Sequence, residues 1–320
     1  MKQRSTLILP LAALMVLGGT AACRKKISAT PTKKEEGGLV GRTATDIVEE
    51  AELRLQRKQW TDARTLLRVV EENLPSSKEY PRAKLLLGDS YFFSTVPSFP
   101  EAVVEYQSFL TYFPKHEQKP YALYQIALCH YATIETAERD QSETRKAIDA
   151  FQKLINEAPG SIYAVDAKAK LNQCWHRLAE SELQVGIFYV KTYPASNAGY
   201  KRIKNAMEAY PDFVDRERAY FFLGEAMRSH RMEMSQLEQF GKDYLARVKK
   251  DNMNNLTRDE YITYSKELNA FITEEFHKSR QESRDYYQKL VESYPNSEWV
   301  GKAKDRLVEL GQSIKEELDS

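Results

Sequence analysis

The chain has 320 residues, 47 Lys and Arg against 46 Asp and Glu, and a net charge of +1. So even a balance excludes bulk electrostatic attraction to nucleic acid or to an anionic membrane, because that attraction needs many uncompensated cations. The 13 Phe, 19 Tyr and 3 Trp supply enough apolar surface to exclude disorder throughout, and only 13 Gly leaves few positions for left-handed turns, as suits a helical protein.

Met1 to Arg4 is a short basic start, followed by an apolar run from Leu7 to Leu17 that only Pro10 interrupts. A helix spanning the hydrocarbon core needs about twenty apolar residues, so residues 1–22 read as a secretory signal peptide. The small residues Gly18-Gly19-Thr20-Ala21-Ala22 before Cys23 resemble the lipobox of bacterial lipoproteins, with Thr20 where that pattern usually has Leu. The resemblance implies lipid attachment at Cys23. Arg24 in place of Asp implies the outer membrane as destination. Residues 23–42 are polar and aperiodic, and read as a flexible tether. Gly37 to Thr43 fails as a phosphate-binding loop: the glycine spacing is one residue short, Arg42 replaces Lys, and no strand precedes it.

From Thr43 the apolar spacing is helical, with a capping signature at Thr43 and Asp46. Residues 151–171 align without gaps on residues 287–307. Leu67, Tyr106, Phe151, Ile203 and Tyr287 each stand eight residues before a proline, at positions 75, 114, 159, 211 and 295. The first three prolines recur at intervals of about forty residues, which suits two-helix repeats with variable loops.

Each unit resembles the tetratricopeptide repeat. The small residue of helix A, the alanine opening helix B, the large residue four later and the closing proline are Ala51, Ala63, Leu67 and Pro75 in the first unit. They are Gly88, Ala102, Tyr106 and Pro114 in the second, and Ala127, Ala147, Phe151 and Pro159 in the third. One such pair cannot bury its apolar face alone, so the units must stack. The third unit carries an insertion at about residues 133–144, and the fourth opens with a helix predicted over residues 163–192 that breaks at Tyr193-Pro194. The lipidated start, the tether and the long fourth A helix together resemble the BamD family, lipoproteins of the outer-membrane β-barrel assembly machinery. The most family-like stretch runs from Arg139 to Ala167. The predicted fold is therefore all-α: a tetratricopeptide-type α-solenoid of about five helix-pair repeats over residues 43–231. A helical C-terminal extension, residues 232–320, closes it. In the extension Leu237, Phe240, Tyr244 and Val248 form one stripe and Tyr261, Tyr264, Leu268 and Phe271 another, opening at Thr257 and Glu260. They are expected to cap the end of the solenoid.

Catalytic, metal and cofactor sites are not expected. Cys129-His130 and Cys174-x-His176 tempt as zinc ligands, but helix neighbours diverge by about 100° per residue and neither pair converges on one ion. The cysteines occupy equivalent places on successive A helices, and packed axes about 8–10 Å apart are too distant for a disulfide, so both are expected as buried free thiols. The expected chemistry is recognition. The resemblance places Arg82, Asp89, Phe92 and Phe93 of the second unit and Tyr121, Tyr124, Leu128 and Tyr131 of the third on the face lined by A helices. An aromatic trough of that kind suits an extended or partly helical peptide. Packing between helices is the competing role for those rings.

The family implies an outer-membrane scaffold, lipid-anchored on the periplasmic face. Its implied partners are unfolded outer-membrane proteins, the barrel-forming core subunit (BamA-like) and other assembly lipoproteins, with residues 162–231 docking the core subunit. A second reading keeps the fold and makes the chain a periplasmic adaptor for cell-envelope constriction or pilotin-type secretin assembly. Constriction adaptors typically carry a coiled coil and no lipid anchor.

Overall fold

The computed structural model describes residues 41–193, 197–229 and 234–318. The chain divides into Met1–Thr43 and Ala44–Ser320. The signal peptide, Cys23 and nearly all of the tether lie outside the described residues. The second unit carries twelve α-helices and no strand among the described residues: α1 (Ala44–Gln56), α2 (Trp60–Asn73), α3 (Tyr80–Phe92), α4 (Phe99–Tyr112), α5 (Lys119–Ala132), α6 (Ser142–Glu157), α7 (Ala164–Thr192), α8 (Ala198–Ala209), α9 (Arg216–Arg228), α10 (Met234–Arg247), α11 (Arg258–Ser293) and α12 (Val300–Leu318). It is a tetratricopeptide-type solenoid in which α1/α2, α3/α4, α5/α6 and α7/α8 pair as A and B helices, each packed on the next.

The prolines set where B helices end. α2, α4, α6, α8 and α11 each stop two residues before one. The residue between, Leu74, Phe113, Ala158, Tyr210 or Tyr294, has φ of −131°, −128°, −143°, −129° or −136°. The bulk of a proline ring excludes the helical conformation at the preceding residue, and proline offers no N–H to continue the ladder. Tyr193 ends α7 in the same way, with φ −129°, ahead of Pro194 in the sequence. The connection in the third unit runs from Thr133 to Gln141, because α5 ends at Ala132 and α6 begins at Ser142. Gln141 holds that loop by donating to the Thr136 and Arg139 carbonyls.

Each unit is locked where a small residue on helix A meets a large one on helix B. A methyl group at Gly224 would lie 2.5 Å from the ring of Tyr287, and one at Gly186 would lie 2.6 Å from Ile203. Gly88 is covered by Tyr106 in the same way, and Ala127 and Phe151 are fully buried in one cluster. The pairing Gly224–Tyr287 shows that the fifth B helix is the second half of α11. The B helix of the fifth unit therefore lies within the stretch predicted as an extension. α10 and the first half of α11 are inserted between the two helices of this unit. The inserted stripes meet each other, Phe240 stacking on Phe271 at 4.9 Å and Tyr244 meeting Tyr264 edge to face at 5.0 Å, and do not cap the solenoid as expected. The cap comes from α12, with Ala303 and Leu310 in the last core cluster and Trp299 just before it on Phe221. Thr257 and Glu260 form the expected capping box.

A buried ionic network joins α2, α3 and α4. Lys84, 2% exposed, donates to Glu71 at 2.8 Å and to Glu105 at 2.7 Å, while Arg68 binds both carboxylates. Burial alone pulls the lysine down, but its two carboxylate partners outweigh it and hold its pKa above the ordinary value. Burial works in the opposite sense on Glu71, yet Lys84 and Arg68 keep it below the ordinary carboxylate value of 4.5.

Two predictions follow from this packing. Gly224→Ala lowers stability by about 1–3 kcal/mol through overpacking on Tyr287, whereas Gly301→Ala, in open space on α12, is neutral or stabilising by up to about 1 kcal/mol; urea unfolding of both variants measures this. Lys84→Met lowers stability by about 3–5 kcal/mol near neutral pH, because two carboxylates keep only Arg68. A carboxylate with a depressed pKa stabilises above its unfolded value and loses that contribution as pH falls through the folded one. The Lys84→Met penalty therefore shrinks below pH 4.5, which unfolding curves across that range check.

Candidate functional site

The A helices expose a groove of 600 Å³ between the first three units and the start of α7. Arg82 forms one wall, its guanidinium paired with Glu52 at 2.8 and 2.6 Å. Asp89 lies deeper, accepting from the hydroxyls of Tyr106 and Tyr121, both at 2.6 Å. Burial pushes its carboxyl above the usual range, and the two tyrosines draw it part of the way back. Ile162 and Tyr163 form the opposite wall, and Ile162 is 85% exposed.

Arg82, Asp89 and Tyr121 thus line one groove. Tyr124 stands beside the groove, stacked on Tyr163 at 5.0 Å with its hydroxyl donating to Asp166. Tyr131 belongs to a second hollow of 470 Å³ with Gln173, His176 and Arg177. The other three expected residues line neither hollow. Phe92 and Phe93 lie on its face of α3 but at the far end, where Phe99 of α4 packs on Phe92 at 5.5 Å. Leu128 packs into the core of the third unit instead. Its place after Ala127 corresponds to that of Asp89 after Gly88, and its partner ring, Phe151, has no hydroxyl to satisfy.

That correspondence is a small code within the repeat. Where the B-helix ring is tyrosine, the residue after the small one is acidic: Asp89 accepts from Tyr106 and Glu225 from Tyr287 at 2.7 Å. Where the ring is Phe151, it is Leu128. A buried phenol needs an acceptor, and a phenyl ring does not.

Sequence reasoning missed a third hollow of 610 Å³, where Phe188, Phe222 and Trp299 meet with Lys191 and Arg218 at the edge. The nitrogen of Lys191 lies 5.1 Å from the Phe222 ring. The aligned segments contained the signal, since Tyr163 and Trp299 are equivalent positions and each contributes to a hollow of the A face. Glu52 carried no such signal.

His130 pairs with Glu143 at 2.8 Å and the His176 ring with the Phe213 carbonyl at 2.9 Å. Cys129 and Cys174 are buried and unbridged, their thiols pushed up by burial to about 12 and about 11, so neither forms the reactive thiolate near neutral pH. Among the described residues no group of His, Cys, Asp and Glu is placed to hold a metal ion, and no helix is long and apolar enough to cross a membrane.

The acid–phenol code is testable by exchange. Asp89→Leu leaves the Tyr106 and Tyr121 hydroxyls without their acceptor and lowers stability by about 1–3 kcal/mol. Adding Tyr106→Phe, which copies the Leu128 and Phe151 pair of the third unit, restores part of that loss, as a double-mutant cycle in urea shows.

Comparison with known proteins agrees with this architecture. A tetratricopeptide-repeat model matches residues 274–297, the B helix of the split fifth unit. Proteins called outer membrane protein assembly factor BamD are similar to the chain. The one from Caulobacter vibrioides is 28% identical over 218 residues, covering 68% of both chains. That from Rickettsia prowazekii is 28% identical over 181 residues, covering 57% of this chain and 68% of its own. The one from Vibrio cholerae is 27% identical over 192 residues, covering 52% and 79%. A family model described as outer membrane lipoprotein matches residues 41–242, well over half of the sequence, and the chain belongs to that family.

Proposed function

We propose that this protein is a scaffold for outer-membrane protein assembly, held on the periplasmic face of the outer membrane by lipid at Cys23. The observation that carries the reading is the membership of the outer membrane lipoprotein family, together with A helices whose exposed face offers grooves of peptide size. Similar proteins are called outer membrane protein assembly factors.

In this reading the groove around Arg82, Asp89, Tyr121 and Tyr163 receives extended segments of unfolded outer-membrane proteins. A strand advances about 3.3 Å per residue, so a groove of this size holds a few residues at a time and suits transient, low-specificity contact. The Tyr124–Tyr163 stack supplies rigid contact area at small entropic cost, and the Glu52–Arg82 pair supplies polar partners for a bare peptide backbone. The later repeats, about residues 162–231, dock the barrel-forming core subunit. The 610 Å³ hollow supports this, because an exposed Phe188 ring beside the part-buried Trp299, bordered by cations, forms the kind of anchor pocket that dominates protein interfaces. Other assembly lipoproteins complete the set of partners. The role of every residue named is binding, and no chemical step is assigned.

Two measurements test the proposal. Cys23→Ala moves the protein from the membrane pellet to the soluble periplasmic fraction, while a wild-type distribution would exclude the anchor. Tyr163→Ala weakens binding of a fluorescent unfolded barrel segment at least about tenfold, equivalent to 1.4 kcal/mol, in an anisotropy titration of the mature protein. Unchanged affinity would remove the front groove from the account.

A further inference from the structure

The inserted arm, α10 with the first half of α11, has an uncovered seam of its own. In the second half of α11 the residues Ser279, Ser283, Tyr287 and Leu290 are buried. α9 covers this face: Ser283 donates to the Gly224 carbonyl at 2.8 Å, and Gly224 lies under Tyr287. At 3.6 residues per turn the same face continues towards the N-terminus through Phe276, Ile272, Asn269, Ser265 and Ile262. α9 stops at Arg228, one turn after Gly224, and so leaves this continuation behind. α10 does not cover it either, because it packs on a different face through Tyr264 and Phe271. Ile262, Ile272 and Phe276 are 42%, 39% and 40% exposed.

We propose that this face of α11, from Ile262 to Phe276, seats an amphipathic helix of a partner polypeptide. The seam is continuous with one that already packs a helix. It alternates large and small side chains in the same way, with Ser265 and Asn269 between isoleucines and a phenylalanine, just as Ser279 and Ser283 lead to Tyr287. Small residues there let a helix axis approach closely. The exposed stretch rises about 21 Å, enough for four turns. One edge carries Lys266, so the occupant has a narrow apolar stripe bordered on that side by Asp or Glu. The matched family region ends at residue 242, so all of this seam lies outside it. The seat is independent of the grooves on the A face.

The test uses the full lipidated chain in its native membrane, with a photoreactive side chain at Ile272, at Phe276 or, on the opposite face, at Glu274. The expected result is adducts from 272 and 276 that map by mass spectrometry to one amphipathic helix of another polypeptide, at least tenfold above the Glu274 control. Adducts to lipid or to a second copy of this chain, equal yields at all three positions, or no adduct would overturn the proposal. Ile272→Asp with Phe276→Asp lowers the yield from a photoreactive group at Ile262 at least tenfold while helical circular dichroism is unchanged. The milder pair Ile272→Ala with Phe276→Ala lowers it in the same direction and serves if the charged pair melts the arm. Undiminished yield in both pairs would also overturn the proposal.

Discussion

Everything in this solenoid depends on how closely an A helix can approach its B helix. At Gly88, Gly186 and Gly224 the side chain is absent because a ring or a branched aliphatic chain occupies its place. The contact fixes axial register as well as separation, since only one turn of helix A has room for the large partner. Register in turn decides which side chains of helix A face outward. The grooves on the A face are thus consequences of packing several ångströms beneath them.

The outward faces are diversified without disturbing that contact. In the second and fifth units an acidic residue beside the glycine takes up the tyrosine hydroxyl, and in each case it also meets the next helix along, Tyr121 for Asp89 and Arg306 for Glu225. A carboxylate that satisfies a buried phenol therefore doubles as a tie between successive units. The Lys84 network does the same between the first two units by ion pairing. Such ties are directional, unlike apolar burial, and they hold neighbouring A helices at the spacing that keeps a groove open.

The repeat was legible because its signals are local. Proline two residues past a helix, an alanine opening helix B, and a large residue eight before the proline are each dictated by backbone or close-packing constraints within one unit. The long α7 and the capping box at Thr257 were legible for the same reason. In the fifth unit the B-helix pattern from Tyr287 to Pro295 was legible for the same reason, but its pairing with the helix of Gly224 was not, because the whole arm separates them and only the three-dimensional contact of Gly224 with Tyr287 reunites them. The face of Arg82, Asp89 and Tyr121 was legible through the repeat resemblance, whereas Phe92 lies at the end of α3 against Phe99, a residue from the next helix, and Phe93 follows that end and is exposed. Lys84 gave no sequence signal, since a lysine in an apolar stripe is unremarkable until its two glutamates are seen beside it.

Under the proposed function the array is a physical intermediary, its grooves positioned by rigid ties and the array itself by lipid at Cys23. The central claim is that outer-membrane barrels fold through contact with this protein. The most direct measurement is the folded fraction of a resident outer-membrane barrel, read from heat-modifiable electrophoretic mobility, as the protein is depleted from its own cells. The account predicts that unfolded barrel accumulates on depletion and that the wild-type gene restores the folded form. Barrels that fold to the same extent and at the same rate without the protein would contradict it.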